Sequence, residues 1–144
     1  MATNLAYRET EPSVVGEPKP SRDAAQHAFQ VLYIGFMVLP IVAGLDKFTH
    51  LLVNWDQYFS PFFAGLMGPL APYFMRIVGV VEIVAGLVVA FAPRFGGYLV
   101  AIWLWGIIIN LLSIPDYFDV ALRDFGLSLG AIALARLADV RPQR

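Results

Sequence analysis

FMRIVGVVEIVAGLVVAFAPRFGGYLVAIWLWGIIINLLSIP, residues 74–115, holds three charged side chains in 42 positions. Arg76 and Glu82 fall in a first apolar run, Phe74 to Ala92, and Arg94 sits in the break that follows it. A second run, Phe95 to Pro115, is uncharged over 21 residues. At a helical rise of 1.5 Å per residue, about 20 apolar residues cover a hydrocarbon core of about 30 Å. The two runs therefore read as membrane-crossing helices, and the short 93–95 turn makes them a tight antiparallel hairpin.

Working outward, Ala24 to Leu45 is 22 residues without a formal charge, and Val120 to Ala138 is a weaker apolar run bordered by Arg123, Asp124 and Arg136. The expectation is an all-α membrane protein: a four-transmembrane-helix bundle over residues 24–139, with spans near 24–48, 73–92, 95–114 and 117–138. Residues 1–23 are polar and proline-rich and read as a flexible cytoplasmic tail; residues 140–144 form a short basic one. The first stretch is not a signal peptide, having no apolar core behind a basic start. The connection LLVNWDQYFSPFFAGLMGPLAPY, residues 51–73, is too apolar for a solvated loop and too broken by Pro and Gly for a span. Asn54 followed by Gln57, and Ser60 before Pro61, mark helix starts. Short interfacial or re-entrant helices over the outer mouth are the expected result, with Trp55, Tyr58, Tyr73 and Tyr117 as an outer aromatic belt.

Composition narrows the function. Apolar residues make up 58% of the chain and charged ones 15%, with net charge −1. That balance excludes a basic nucleic-acid-binding surface. Without cysteine there is no disulfide, thiolate nucleophile or cysteine-ligated metal cluster. No P-loop, GxGxxG, nucleophile elbow or HExxH occurs. His27 and His50 lie about 34 Å apart by helix rise, so they cannot share one haem or metal; no metal site is expected. Placing both termini in the cytoplasm puts seven Lys and Arg inside against three outside, the orientation that the positive-inside rule selects.

Glu82 is the sharpest single residue, about nine residues or ~13 Å into its span by helix rise. An unpaired carboxylate at such depth costs roughly 2.5–3.5 kcal/mol on insertion scales. It is therefore either protonated or paired, facing the bundle interior; partners come from other spans, with Asn110, Arg123 and Lys47 as the candidates, because Arg76, six residues away, is on another face. At the end of the first span stand Asp46, Lys47 and His50. Asp46 and Lys47 point about 100° apart and cannot simply pair, whereas Asp46 and His50 share a face on which the acid can orient the imidazole. Asp119 and Arg123 are likewise four apart, with Asp124 next to them. Gly126 and Gly130 form a GxxxG, a small-residue packing face for a neighbouring helix, within the bundle or on a partner. Trp103 and Trp105 read as lipid-facing or core bulk.

Gly44-Leu45-Asp46-Lys47-Phe48, Glu82 followed by Ala85-Gly86-Leu87, and Arg123-Asp124-Phe125-Gly126-Leu127 together resemble the DoxX-like membrane proteins, over roughly residues 28–138. The resemblance implies a four-helix bundle of the cytoplasmic membrane. Some relatives are small subunits of terminal quinol oxidases or of a thiosulfate:quinone oxidoreductase; others are integral partners of membrane-bound oxidoreductases. The leading expectation is thus a small accessory or anchoring subunit of a respiratory or photosynthetic electron-transfer complex, not catalytic alone, whose partners are other integral membrane subunits. The alternative is a quinone-interacting oxidoreductase subunit, with Asp46, Lys47, His50, Trp55, Arg76, Glu82, Asn110, Arg123 and Asp124 supplying the polar network in the outer half. A proton-coupled transporter is a third reading. No cofactor of its own is expected beyond a bound quinone or lipid.

Overall fold

The computed structural model describes residues 22–140, and among them all regular structure is helical. The tails expected at 1–23 and 140–144 fall almost wholly outside the described residues. Helix α1 spans Arg22–Thr49. The connection after it forms a 3-10 turn at Trp55–Tyr58, helix α2 at Pro61–Met67 and a second 3-10 segment at Gly68–Tyr73. Helices α3 (Phe74–Phe91), α4 (Pro93–Leu112) and α5 (Phe118–Val140) complete the chain. The predicted starts in the connection are present. The Asn54 side chain accepts from the amide of Asp56, the Ser60 side chain accepts from Phe62, and Pro61 opens α2. The third expected span begins two residues early, because Pro93 takes the first helical position, where its missing N–H and fixed φ suit a helix start.

Three runs are long and apolar enough to cross a membrane: Asp23–Thr49, Pro61–Phe91 and Pro93–Leu112. Helix α5 matches them in length but carries Arg123, Asp124 and Arg136 within its apolar stretch. Their outward faces are apolar, with Val31 (72%), Ile102 (72%) and Phe91 (87%) exposed. Contiguous apolar surface on this scale marks a membrane-associated protein.

The helices pack as two close pairs, α1 with α3 and α4 with α5, with fewer contacts between the pairs. Glycine lets each pair close. A Cβ on Gly44 would stand 2.5 Å from the carbonyl oxygen of Gly79, and one on Gly79 would stand 2.7 Å from that of Gly44. Within the second pair, a Cβ on Gly97 would meet the Ala131 carbonyl at 2.7 Å. The predicted GxxxG is not that interface: Gly126 has nothing within 4 Å, and Gly130 faces the Phe36 ring of α1. The small residues that bury themselves on α5 are Ala121, Ser128, Ala131 and Ala135. Without an apolar solvent gradient to drive helices together in lipid, backbone approach of this kind carries the packing. Gly44→Ala and Gly79→Ala are each expected to lower the thermal midpoint in detergent, by overpacking worth about 1–3 kcal/mol. Gly35→Ala, with open space around it, is the matched control and should be neutral or slightly stabilising.

The two pairs are joined at both ends. Near the α3–α4 turn, Phe29, Ala85, Val89, Val100, Ala131 and Leu134 form the main core, and Arg94 bonds Asp139 at 2.7 Å. At the other end, the 53–63 segment lies across the gap as a roof. A second small core of Ile108, Leu111 and Ala121 packs beneath its Tyr58.

Candidate ligand site between the helix pairs

Lys47 follows Gly44 by three residues, and Glu82 follows Gly79 by three. Because α1 and α3 run antiparallel, these two steps lead in opposite directions from the glycine contact: the Lys47 Cβ lies 3.1 Å from where one on Gly79 would stand, and its long side chain reaches along α3 to Glu82. Nζ of Lys47 lies 2.6 Å from Oε2 of Glu82. Their side chains are 3% and 11% exposed. Of the three partners the sequence offers Glu82, Lys47 is the one that bonds it. Nζ also lies 3.7 Å from the centroid of the Trp55 ring, a cation–π contact from the roof.

Asp46 does a different job from the one its spacing to His50 predicts. His50 has left the helix: its φ is +52°, and its amide donates to the Asp46 carbonyl, closing the α1 C-terminus in a left-handed turn. Its imidazole faces away, 3.9 Å from Asp56. The Asp46 carboxylate instead accepts from the amides of Leu51 (2.8 Å) and Leu52 (3.0 Å) and from the Thr49 hydroxyl (3.1 Å). Its other oxygen accepts from the Trp55 indole at 2.7 Å. Asp46 and Lys47, unable to pair with each other, hold the same tryptophan by its edge and by its face.

The roof is fastened to the other pair by Asn110. Its amide donates to the Tyr58 carbonyl (2.6 Å) and its oxygen accepts from the Ser60 amide (3.1 Å). The Ser113 hydroxyl lies 2.7 Å from that of the fully buried Ser60. Asn110 is thus committed to the backbone of the roof rather than to Glu82.

Between the pairs and under the roof lies a cavity of about 590 Å³, within the size range of small-molecule sites. Its polar groups stand on two walls. Lys47 and Glu82 belong to the first helix pair; Asp124 and Arg123 come from α5. Two of the three Arg123 guanidinium nitrogens, Nε and Nη2, each donate to one Asp124 oxygen at 3.2 Å, so Arg123 binds its neighbour rather than Asp119. Trp55, Tyr58 and Phe63 form the lid, and the rest of the lining is largely aliphatic and aromatic.

No protein-family model, curated protein or solved structure gives a significant match to this chain. The site is therefore argued from its own geometry.

Of the nine candidates for the polar network, Lys47, Trp55, Glu82, Asn110, Arg123 and Asp124 line the cavity. Asp46 supports it through Trp55. Arg76 and His50 do not belong: both are exposed and neither reaches the lining. Trp103, read as bulk, is a wall residue whose buried indole N–H lies beside Glu82 but has no acceptor in bonding geometry among the described residues. Trp105 is surface bulk, 47% exposed and edge-on to Phe125. Trp55 is a lid rather than a member of an aromatic belt. The signal that separates Trp103 from Trp105 is helical register: Trp103 stands seven residues before Asn110, on the same face.

Proposed function

We propose that the protein is a four-span subunit of the cytoplasmic membrane that holds a quinone in the half of the bundle beneath the 53–63 roof. Both termini face the cytoplasm in this reading, and α5 inserts because its buried charge, Asp124, is neutralised by Arg123. The observation that carries it is the cavity itself: an apolar slot of about 590 Å³ with one ion pair on each wall. Charges that are already paired favour an uncharged guest with a few hydrogen-bonding atoms over a free ion. A quinone ring is such a guest. Its carbonyl oxygens accept from the Lys47 ammonium or the Arg123 guanidinium, and the hydroxyls of its reduced form donate to Glu82 or Asp124. The DoxX-like resemblance agrees with this reading. The protein then serves as an accessory subunit of a larger electron-transfer assembly, and the open surface at Gly126, flanked by exposed Leu122 and Leu129, suits a neighbouring helix.

Purification from native membranes in mild detergent tests both parts. Extraction is expected to yield about one quinone per chain, together with oxidoreductase subunits. Lys47→Met/Glu82→Met, which removes both members of the buried pair, should lower the bound quinone while the complex still assembles. Quinone content unchanged by this double substitution, or absent from the wild type, would refute the site.

A further inference from the structure

The cavity has one closed face and two flanks, and they differ in chemistry. Toward the roofed end of the molecule it is shut by residues 53–63. That lid is latched to α1 through the Asp46–Trp55 bond and the Lys47–Trp55 contact, and to α4 through Asn110 and Ser113. On one flank stands Arg123, whose side chain lines the cavity and is 66% exposed. It lies seven residues before Gly130, which meets Phe36 of α1, so it occupies the seam between α1 and α5. The other flank is the seam between α3 and α4. These helices are tight where they share a turn, since a Cβ on Gly96 would stand 2.5 Å from the Val89 backbone. Further along, Gly106 is at once part of the cavity wall, exposed on the outer surface, and without any atom within 4 Å of where its Cβ would be. By helical register it stands opposite Gly97, the residue against α5, and therefore on the side of α4 turned away from that pair contact.

We infer that the ligand reaches the cavity sideways from the bilayer, through the uncharged gap beside Gly106 between α3 and α4, and is a membrane-dissolved molecule. The inference rests on the cavity being a binding site. A polar solute from the aqueous side would have to unlatch a lid held at both ends. Passage at the α1–α5 seam would bring apolar surface past a guanidinium held to Asp124. At Gly106 the barrier is the missing side chain of one residue. The same glycine explains why the flank stays open: a larger residue there would fill the gap from α4.

The chain contains no cysteine, so one introduced thiol reports on the route. Val78→Cys places it on the α3 wall of the cavity, 7% exposed in the parent. In membranes, N-phenylmaleimide is expected to label this thiol, while a charged methanethiosulfonate added from the aqueous phase leaves it unlabelled. Adding Gly106→Phe should abolish maleimide labelling, and Gly106→Leu should slow it; both side chains point into open space, so the fold is retained. Adding Trp55→Ala should admit the charged reagent. Equal labelling by both reagents, a rate indifferent to Gly106→Phe, or no labelling by either would overturn the lateral route. The experiment uses no quinone, so a protein that fails to bind quinone and one that fails to open sideways give different results.

Discussion

Lys47→Met is expected to destabilise the protein by about 3–5 kcal/mol, the usual cost of removing one partner from a buried ion pair. Denaturant or thermal midpoints in detergent measure it. The methionine fills the space of the aliphatic stem, so packing is retained and the loss comes from Glu82, a carboxylate in an 8% exposed residue left facing Trp103 and aliphatic wall. The double variant Lys47→Met/Glu82→Met should recover most of the loss, because replacing both members of a buried pair by apolar groups is often neutral or better. The resulting double-mutant cycle is expected to show a coupling of several kcal/mol, beyond the 0.5–3 kcal/mol of ordinary contacts. The double variant also separates the two roles of the pair. It should fold and insert, yet bind no quinone, since one cavity wall has lost its donor and its acceptor. A double variant as unstable as the single one would mean that Lys47 acts through Trp55, not through Glu82.

The need for such a partner is legible in the sequence; its identity is less so. An acid nine residues into an apolar span is either protonated or paired from another helix, and the second alternative leaves Lys47, Asn110 and Arg123. What decides among them is the rotation of α1 against α3, set by the contact of Gly44 with Gly79. The sequence advertises the wrong glycines. Gly126 and Gly130 form the recognisable motif, whereas the residues that bring backbones together, Gly79 and Gly86, stand seven apart with Glu82 between them on one face. Single-helix spacing also misled at Asp46 and Arg123, where i, i+4 geometry pairs them with His50 and Asp119. His50 is already beyond the helix end, and the arginine is long enough to fold onto the adjacent Asp124. The spans, the helix starts at Asn54 and Ser60 and the tight hairpin follow from local rules. The cavity does not, because it arises from two helix pairs that separate toward one end. No local pattern encodes that separation.

Asp46 carries the second large effect, and there the conservative substitution is the informative one. Every partner of its carboxylate is a donor: two backbone amides, the Thr49 hydroxyl and the Trp55 indole. Asp46→Asn keeps the shape but turns one acceptor oxygen into an NH₂ group, which must then oppose either the Leu51 and Leu52 amides or the Trp55 N–H. Hydrogen bonds to a charged group are worth about 1.5–3 kcal/mol each, and a buried donor left unpaired costs a comparable amount. The expected destabilisation of Asp46→Asn is therefore about 2–4 kcal/mol on the same scale. Asp46→Ala should cost at least as much. The loss also has a location. If the asparagine keeps its oxygen on the backbone amides, the Trp55 latch is released while the end of α1 stays intact. Collisional quenching of tryptophan fluorescence by aqueous iodide should then rise for Asp46→Asn in folded protein. In Asp46→Asn/Trp55→Phe, which has no indole at position 55, that rise should vanish. A stability loss without increased quenching would place the role of Asp46 in ending α1 and not in holding the roof shut.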